Sequence, residues 1–224
     1  MLHSSLNLEC IVSQPFDENT LIISRPGQPE CLIVDPGLEP QKFAAKIKEK
    51  ELIPVAILNT HGHSDHIAGN EFCKRTWPNC PLIIGHGDAP KLTDPQLNLS
   101  AAFGLELISP EADRTVQEGD TVEHAGITLE VLETPGHSSG HVVFVCKEIE
   151  PYVVIGGDVL FCGSIGRTDF PDGSLSQLTS AIHQKLFTLP GNTLVLPGHG
   201  PATTIEQEIR SNPFVGVPSG YRVD

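Results

Sequence analysis

Short apolar segments alternate with polar turns along most of the chain, and ten of these segments predict β-strands. Several are runs of β-branched residues bounded by Gly, Pro or Asn, which is typical of strands. In 127–131 apolar and polar residues alternate, which predicts a strand that is buried on one face. The predicted strands are 6–13, 20–24, 31–35, 55–59, 82–85, 121–124, 127–133, 142–146, 153–155 and 193–196.

Four further segments predict helices, at 40–50, 66–75, 175–186 and 205–210. In the first of them, Phe43 and Ile47 form an apolar face and three lysines form a basic face. Because the strands come in runs with helices between the runs, we expect two sheets with helices outside them. Segment 96–110 has the weakest pattern and is predicted to be a surface loop or short helix over a cleft.

Composition and charge argue against several classes of protein. The 224 residues are 39% hydrophobic and 19% charged, as in globular proteins, and no apolar run approaches the ~18 residues of a membrane span. The net charge of -14 argues against nucleic acid or an anionic membrane surface as the main partner. The beginning, MLHSSLNLEC, lacks the basic and apolar regions of a signal peptide. We therefore expect a cytoplasmic protein whose six cysteines, none in a CxxC pair, are reduced and mostly buried.

Five apolar strands run directly into polar turns that contain glycine. The segments are CLIVDPG (31–37), VAILNTHGHSDH (55–66), LEVLETPGH (129–137), YVVIGGD (152–158) and NTLVLPGHG (192–200). A strand end holds its last side chain on a rigid base, and functional residues concentrate on loops that are held in this way. The histidines and aspartates of these turns are therefore the candidate functional residues.

The strongest motif is His61-x-His63-x-Asp65-His66, because imidazole and carboxylate groups are ligands of divalent metals. Residues two apart do not share a helix face, but in an extended turn they project to one side. His61 and His63 can therefore share one metal, while Asp65 and His66 turn toward a second. Gly62 is expected to let the backbone bend without a Cβ clash.

Three other strand ends supply the further ligands that two metals need. His137, Asp158 and His199 complete a set of seven. We assign the ligands as follows: His61, His63 and His137 to the first metal, Asp65, His66 and His199 to the second, and Asp158 as the bridge between them. Two-metal sites of this kind hold the ions ~3.5–4 Å apart and activate water as hydroxide.

In this order and spacing, THGHSDH, TPGH, GGD and PGHG resemble the metallo-β-lactamase superfamily, and the resemblance covers nearly the whole chain. It implies an α/β (α+β) fold, a four-layer αββα sandwich with a dinuclear site at one edge between the sheets. Asp35 matches a position that commonly orients the metal-binding loop. The alternative is that Asp35 only starts the Pro-Gly turn that follows it.

Segment 157–174 resembles the glyoxalase II (hydroxyacylglutathione hydrolase) group and its smaller bacterial relatives. In that group a basic residue at the place of Arg167 contacts glutathione, so Arg167 is the predicted substrate-binding residue. The alternative is a structural pair with Asp169. Cys162 is not a ligand in this pattern, and we expect a thiol in the core or near the site.

Larger glyoxalase II enzymes carry a C-terminal helical domain whose basic residues help to hold glutathione. Only 25 residues follow His199, so residues 1–224 are expected to form a single metallo-β-lactamase-fold domain without that helical domain. Without those basic residues, thioester hydrolysis is expected more than tight glutathione binding.

The resemblance implies a hydrolase for the thioester of S-acyl glutathione-type conjugates such as S-lactoylglutathione. The reaction would use a hydroxide that bridges two divalent metal ions, with Asp65 and Asp158 as the catalytic carboxylates. Zn²⁺ is the expected metal, and iron and manganese stay open because the same ligands bind them. The expected partner is a small-molecule thioester, and the oligomeric state is left unassigned.

The nearest alternative is a persulfide dioxygenase, which shares the fold and the string GRTDF (166–170) but uses one iron held by two histidines and an aspartate. The segment PGHGPATTI at the last ligand differs from those enzymes and favours the hydrolase. A lactonase stays open because the same ligands serve it. GRTDF argues against a β-lactamase, the short acidic chain argues against a nuclease, and the complete ligand set argues against a non-enzymatic module.

Overall fold

The computed structural model describes residues 5–222 and places most of the strands in two six-stranded sheets. The first sheet contains β1 (Asn7–Ser13), β2 (Glu18–Ser24), β3 (Glu30–Val34), β4 (Ile53–Asn59), β5 (Leu82–Gly85) and β6 (Arg114–Val116), in that spatial order. The chain continues through β7 (Thr121–His124), β8 (Ile127–Glu133), β9 (Val142–Cys146), β10 (Val153–Gly157), the hairpin β11 (Leu160–Phe161) and β12 (Ser164–Ile165), β13 (Leu194–Pro197) and β14 (Thr203–Thr204). The second sheet has the order β14-β13-β10-β9-β8-β7.

Five α-helices connect the strands of this region, 5–222. They are α1 (Pro40–Glu49), α2 (Ser64–Ile67), α3 (Asn70–Thr76), α4 (Leu175–Ala181) and α5 (Ile205–Ser211). A π-helical turn at Ile182–Leu186 continues α4, and short 3₁₀ helices span His86–Thr93, Ser100–Phe103 and Val217–Ser219. Among the described residues, no helix combines the length and the apolar character needed to cross a bilayer.

Two sheets pack face to face because alternate side chains of their strands are apolar. A central cluster joins Leu32 and Leu58 of the first sheet to Leu129 and Phe144 of the second. These side chains are fully or almost fully buried, so this layer excludes water between the sheets.

Helices cover the outer face of each sheet, which gives the expected four layers. On the first sheet, Ile33 and Ile57 pack in one cluster with Phe43 of α1. On the second sheet, Val143 packs in one cluster with Leu178 of α4. The αββα sandwich is therefore confirmed, and its helices lie where the alternate apolar side chains of the strands point outward.

The strand predictions match closely for strands of four or more residues, and they fail for the shorter strands. Segments 82–85, 121–124, 127–133 and 142–146 have the predicted bounds. Strands β6, β11, β12 and β14 were not predicted, since each has only two or three residues. Such segments carry no periodic pattern, and they become strands only because a neighbouring strand pairs with them.

The prediction of one continuous helix over 66–75 is wrong, because the chain forms α2 and α3 with a break between them. At the break, the backbone N–H of Gly69 donates to the carbonyl oxygen of Pro36 at 2.7 Å. An added Cβ at Gly69 would lie 2.9 Å from that oxygen. This close approach to the turn after β3 ends the first helix at Ile67, directly after the metal-binding motif.

Candidate metal centre

The seven predicted ligands follow strands whose ends meet at one edge of the sandwich. Strands β3 and β4 pair in parallel in the first sheet, and β10 and β13 pair in parallel in the second, so their carboxyl ends lie together. The ligands come from the turn and helix after β4 (His61, His63, Asp65, His66), the turn after β8 (His137), the residue after β10 (Asp158) and the turn after β13 (His199).

Three histidines converge in the first subset, His61, His63 and His137. Their donor atoms lie within 4.8 Å of one another, and all three side chains are buried. His63 Nδ1 and His137 Nε2 are 2.9 Å apart. A single ion can therefore be reached by one nitrogen from each of the three rings.

A second subset adjoins the first and contains Asp65, His66 and His199. The Nε2 atoms of His66 and His199 lie 3.3 Å apart. Asp65 Oδ2 is 3.3 Å from His199 Nε2 and 3.6 Å from His66 Nε2. This half carries a carboxylate, so it is more anionic than the three-histidine half.

Asp158 lies between the two subsets. Its Oδ2 is 3.5 Å from His137 Nε2 of the first subset and 3.5 Å from His199 Nε2 of the second. Its Oδ1 is 3.5 Å from His66 Nε2. One carboxylate therefore faces both halves, which is the arrangement that a bridging ligand needs.

Hydrogen bonds outside the cluster set the tautomers of its histidines. His137 Nδ1 lies 2.8 Å from the carbonyl oxygen of Arg167, and His199 Nδ1 lies 3.0 Å from that of Phe16. A carbonyl oxygen only accepts, so each Nδ1 carries the hydrogen and each Nε2 keeps its lone pair. In both rings the free nitrogen therefore points into the cluster, as metal ligation requires.

Asp35 orients the turn after β4 by accepting hydrogen bonds from it. Its Oδ1 accepts the backbone N–H of Thr60 at 2.8 Å, and its Oδ2 accepts the Thr60 hydroxyl at 2.7 Å. His66 Nδ1 lies 3.1 Å from the same Oδ2, so this ring also presents Nε2 to the cluster. Because these contacts occupy both oxygens of Asp35, the geometry agrees with an orienting role.

Electrostatics differ between the two halves. Burial lowers the pKa of His61 and His63, so both imidazoles are neutral near pH 7 and can ligate through a lone pair. Burial also lowers the pKa of His66, but Asp65 and Asp158 outweigh burial and raise it above its ordinary value. The second half therefore attracts positive charge, which a divalent cation supplies when it displaces the proton.

Buried polar atoms without a hydrogen-bond partner show whether these side chains fit a metal ion. In residues 5–222, six buried side-chain atoms have no hydrogen-bond partner, and His61 Nε2, His63 Nε2 and Asp158 Oδ1 are three of them. Leaving such an atom buried and unpaired costs about 1–3 kcal/mol. Half of these atoms belong to predicted ligands, so the residues present fit bound cations, and coordination would remove that cost.

His141 is a buried residue of this site that the sequence motifs did not identify. Its Nε2 accepts the backbone N–H of Asp158 at 3.1 Å, and its Nδ1 lies 3.0 Å from Thr134 Oγ1. Its ring stacks on that of His61 with 4.9 Å between centroids. The repeat of Gly-His at 136–137 and 140–141 was the available signal, but it does not say which histidine ligates.

Asp88 was also missed, although it joins two of the ligand-bearing turns. Its Oδ2 accepts the backbone N–H of Gly62, and its Oδ1 accepts that of Gly140, both at 2.8 Å. Ser138 Oγ donates to the same carboxylate. The buried ammonium of Lys91 lies 3.4 Å from Asp88 Oδ1 and compensates its charge.

The expected reason for glycine at position 62 needs a correction. Its φ is not in the left-handed region, so a bend is not what demands glycine here. An added Cβ would instead lie 2.5 Å from Cβ of Lys91. Gly62 is required because the helical segment that carries Asp88 and Lys91 packs directly on the motif.

Arg167 forms the structural pair with Asp169 that was the alternative interpretation. Its Nε and Nη2 donate to the two carboxylate oxygens of Asp169 at 2.8 and 2.7 Å, and they lower the pKa of Asp169 to about 2. The guanidinium carbon lies 4.4 Å from the ring centroid of Phe170. The same side chain lines the cavity beside the ligands, so it is a structural partner of Asp169 at the mouth of the site.

Cys162 lies on the surface, so it is not in the core, but it lies between Phe161 and Ser164 of the cavity lining, which agrees with the alternative of a thiol near the site. Gln207 Nε2 is 3.5 Å from its sulfur, and the neighbouring Phe161 lines the cavity while Cys162 does not. Cys10 is exposed as well, whereas the other four cysteines are buried, as expected for most of them. None of the six forms a disulfide.

A cavity of about 360 Å³ opens beside the cluster. Five of the predicted ligands line it: His63, Asp65, His137, Asp158 and His199. Its remaining walls are Phe16, Ser64, Leu99, Phe103, Phe161, Ser164, Ile165, Arg167 and Phe170. The volume lies in the range of small-molecule sites.

Comparisons with known proteins agree with this geometry. Residues 14–199 match the family model described as the metallo-beta-lactamase superfamily. The probable metallo-hydrolase YqgX of Bacillus subtilis is 43% identical over 187 residues, which cover 83% of this chain and 87% of that protein. The hydroxyacylglutathione hydrolase GloC of Haemophilus influenzae is 38% identical over 217 residues, which cover 96% of this chain and 100% of that protein.

Solved structures share the fold. The BLEG-1 B3 metallo-beta-lactamase superposes with a TM-score of 0.88 at 35% identity, covering 93% of this chain and 99% of that one. TTHA1623 in a di-iron-bound form superposes with a TM-score of 0.79 at 35% identity, covering 92% of this chain and 99% of that one. With the family match over most of its length, the αββα sandwich and the cluster at its edge, this chain belongs to the metallo-β-lactamase superfamily.

Proposed function

We propose that this protein is a dinuclear metal-dependent hydrolase that cleaves the thioester of S-acyl glutathione-type conjugates such as S-lactoylglutathione, in the cytoplasm. The observation that carries the proposal is the pair of adjoining donor subsets bridged by Asp158 at the floor of a small cavity. The relative named hydroxyacylglutathione hydrolase GloC, which aligns over its full length, supports this substrate class.

Seven side chains would hold the two metal ions: His61, His63 and His137 for one, Asp65, His66 and His199 for the other, and Asp158 for both. When bound, two divalent ions lower the pKa of water and polarise a carbonyl group. Zn²⁺ is our first choice for a set of imidazoles and carboxylates. The likeness to a di-iron protein of 35% identity makes iron the first alternative.

The chain's own groups perform the remaining tasks. Burial opposes charge on Asp65, but the nearby His66 and His199 outweigh it and hold the pKa of Asp65 below its ordinary value. Asp65 is therefore ionised near pH 7, and its carboxylate lines the cavity, where it can accept a proton. Arg167 lies at the mouth, where its guanidinium can pair with a carboxylate of the substrate.

The test is hydrolysis of S-lactoylglutathione by purified protein of measured metal content, followed as loss of the thioester. We expect turnover that disappears on chelation and returns with Zn²⁺. An absence of turnover by protein that carries two metal ions would reject the glyoxalase II activity, the hydrolysis of S-lactoylglutathione. Oxygen uptake with glutathione persulfide would then be measured, because a persulfide dioxygenase is the remaining alternative for the motif at 166–170.

A second candidate is β-lactam hydrolysis, which the likeness to the BLEG-1 B3 metallo-beta-lactamase favours at 35% identity over 93% of this chain. The same ligand set would serve it, since an amide carbonyl also needs polarisation and a hydroxide. Nitrocefin hydrolysis by the same metal-loaded preparation separates the two candidates. If kcat/KM for nitrocefin exceeds that for S-lactoylglutathione, β-lactam hydrolysis is the better description.

A further inference from the structure

The cavity has two different sides, one beside each half of the ligand cluster. Phe170 lies beside the first half, with its ring centroid 5.0 Å from that of His63 and 5.6 Å from that of His137. Phe16 lies beside the second half, because its carbonyl oxygen accepts from His199 Nδ1. A group that extends from the metal centre past the second half, near His199, therefore contacts the side of the cavity that contains Phe16.

That wall consists of Phe16, Leu99 and Phe103, which come from two separate segments of the chain. The rings of Phe16 and Phe103 meet edge to face, with 5.2 Å between centroids. Phe16 lies between β1 and β2, whereas Leu99 and Phe103 lie in the segment after the 3₁₀ helix His86–Thr93. We call these three residues the aromatic wall.

The backbone of the aromatic wall is held from inside the protein. Asn98 is fully buried, and its Nδ2 donates to the carbonyl oxygens of Lys91 and Leu107 at 3.1 and 2.9 Å. The backbone carbonyl oxygen of Asn98 accepts the backbone N–H of Ser64, which precedes the ligand Asp65. Leu99 has a φ of +68°, a left-handed conformation that costs a leucine about 1–2 kcal/mol. The hydrogen bonds of the neighbouring Asn98 hold the backbone in this conformation.

The charged residues of the cavity lining also bear on which group can bind beside the second half. Arg167 is the one cation among the lining residues, and Asp169 already occupies its guanidinium from the surface. The carboxylates of Asp65 and Asp158 also line the cavity, but the two cations proposed for the site would compensate their charge. Phe16, Leu99 and Phe103 carry no charge, so an anionic group would find no partner side chain among them, whereas an apolar group would cover aromatic surface.

We propose that the site selects thioesters in which one arm is an apolar aliphatic or aromatic group that lies against Phe16, Leu99 and Phe103. The proposal rests on the thioester hydrolysis proposed above and names the class of substrate. Phe103 is 60% exposed, so it has the most surface to lose when such an arm binds. The arm is either the acyl chain or the thiol, and two substrate series distinguish them.

The first series consists of N-acetylcysteamine thioesters of acetate, butyrate and hexanoate, and the second of acetyl thioesters of ethanethiol, butanethiol and hexanethiol. In the series that uses the wall, kcat/KM should rise about threefold per methylene group, through a lower KM. Phe103→Ala should reduce that slope by half or more. Phe214→Ala is the matched control, because Phe214 is 56% exposed and lies outside the cavity lining, and it should keep the slope.

Turnover of every thioester with no dependence on chain length in either series would overturn the apolar-arm proposal and leave the hydrolase standing. If no thioester is turned over, calorimetry on the Zn²⁺-loaded protein decides the proposal separately. Hexanoate should then bind more tightly than acetate, or hexanethiol more tightly than ethanethiol, and the difference should shrink in Phe103→Ala. Equal affinities within both pairs would overturn it.

Discussion

The Asp88 carboxylate accepts the backbone N–H of Gly62 at 2.8 Å, although 26 positions separate the two residues in the chain. Gly62 lies between His61 and His63, so this one hydrogen bond acts on the backbone that carries both rings. Because Asp88 is fully buried, the bond is shielded from water and depends on the nearby ammonium of Lys91. The first subset of ligands is therefore positioned by a residue that touches none of its ligand atoms.

Asp88→Asn keeps the size of the side chain but removes its charge and one of its acceptors. We expect a loss of about 2–4 kcal/mol in the free energy of unfolding, because one of the backbone N–H groups of Gly62 and Gly140 loses its acceptor and Lys91 loses its fully buried counter-charge. We also expect weaker Zn²⁺ binding in the three-histidine subset. Urea unfolding of the metal-free protein measures the first effect, and chelator competition measures the second.

Asp120→Asn is the matched control for Asp88→Asn, because Asp120 also accepts a backbone N–H, from Gln117, but at an exposed turn. It should leave metal affinity unchanged and alter stability by less than about 0.5 kcal/mol. If Asp88→Asn behaves like this control in both measurements, the positioning role of Asp88 is wrong.

Asp158→Asn tests the bridge between the two subsets. The amide keeps an oxygen but loses the negative charge that faces His137 and His199. We expect the loss of one metal ion per chain and a decrease in thioester hydrolysis of about three orders of magnitude. Metal content is measured on the purified variant before activity. A variant with two metal ions and full turnover would rule out a bridging role for this carboxylate.

Asp169→Asn should release the guanidinium of Arg167 from its surface partner. Exposed ion pairs are weak because water screens them, so we expect the KM for S-lactoylglutathione to fall by up to about fivefold, with kcat unchanged. Arg167→Gln should raise the same KM. Steady-state kinetics with S-lactoyl-N-acetylcysteamine, which lacks a carboxylate, provide the control. If KM stays the same in both variants, Arg167 does not bind substrate.

Asp172 makes stability depend on pH in the acid range. Burial alone would raise the pKa of Asp172, but hydrogen bonds from Lys91 Nζ and the Ser139 N–H lower it to about 2. The lowered pKa lies below the ordinary aspartate pKa of about 3.9. The stabilisation of the fold by ionised Asp172 is therefore complete at pH values above the ordinary pKa. It should disappear as the pH falls toward 2. The stability difference between the wild type and Asp172→Asn should therefore be constant at pH 5–7 and shrink below pH 4.

Urea unfolding of the metal-free protein at several pH values measures this difference. Lys91→Met provides the comparison, because it removes the ammonium that lowers the pKa of Asp172. In the Lys91→Met background, Asp172→Asn should have a smaller effect, because only the hydrogen bond from the Ser139 N–H remains. An equally large and pH-dependent effect in both backgrounds would contradict this explanation.

Local patterns explain which parts of the fold could be predicted. Strand β8 was predicted with its observed bounds because its side chains alternate between the two faces of one sheet. The helix predicted over 66–75 was wrong because the contact between Gly69 and Pro36 joins segments that no local pattern connects. The sequence left open whether Cys162 lies in the core or near the site for a similar reason, since the position of its hairpin depends on α5.

Sequence alone determined the fold class, the family and the side chains that can ligate metal, because residue type and spacing within each turn are local properties. Tertiary structure decided which ring nitrogens point inward and that Asp88 and His141 support the ligands. Those features depend on hydrogen bonds between residues far apart in the chain, such as Asp88 with Ser138, 50 positions away. Such bonds form only after the two sheets have packed and brought their turns to one edge.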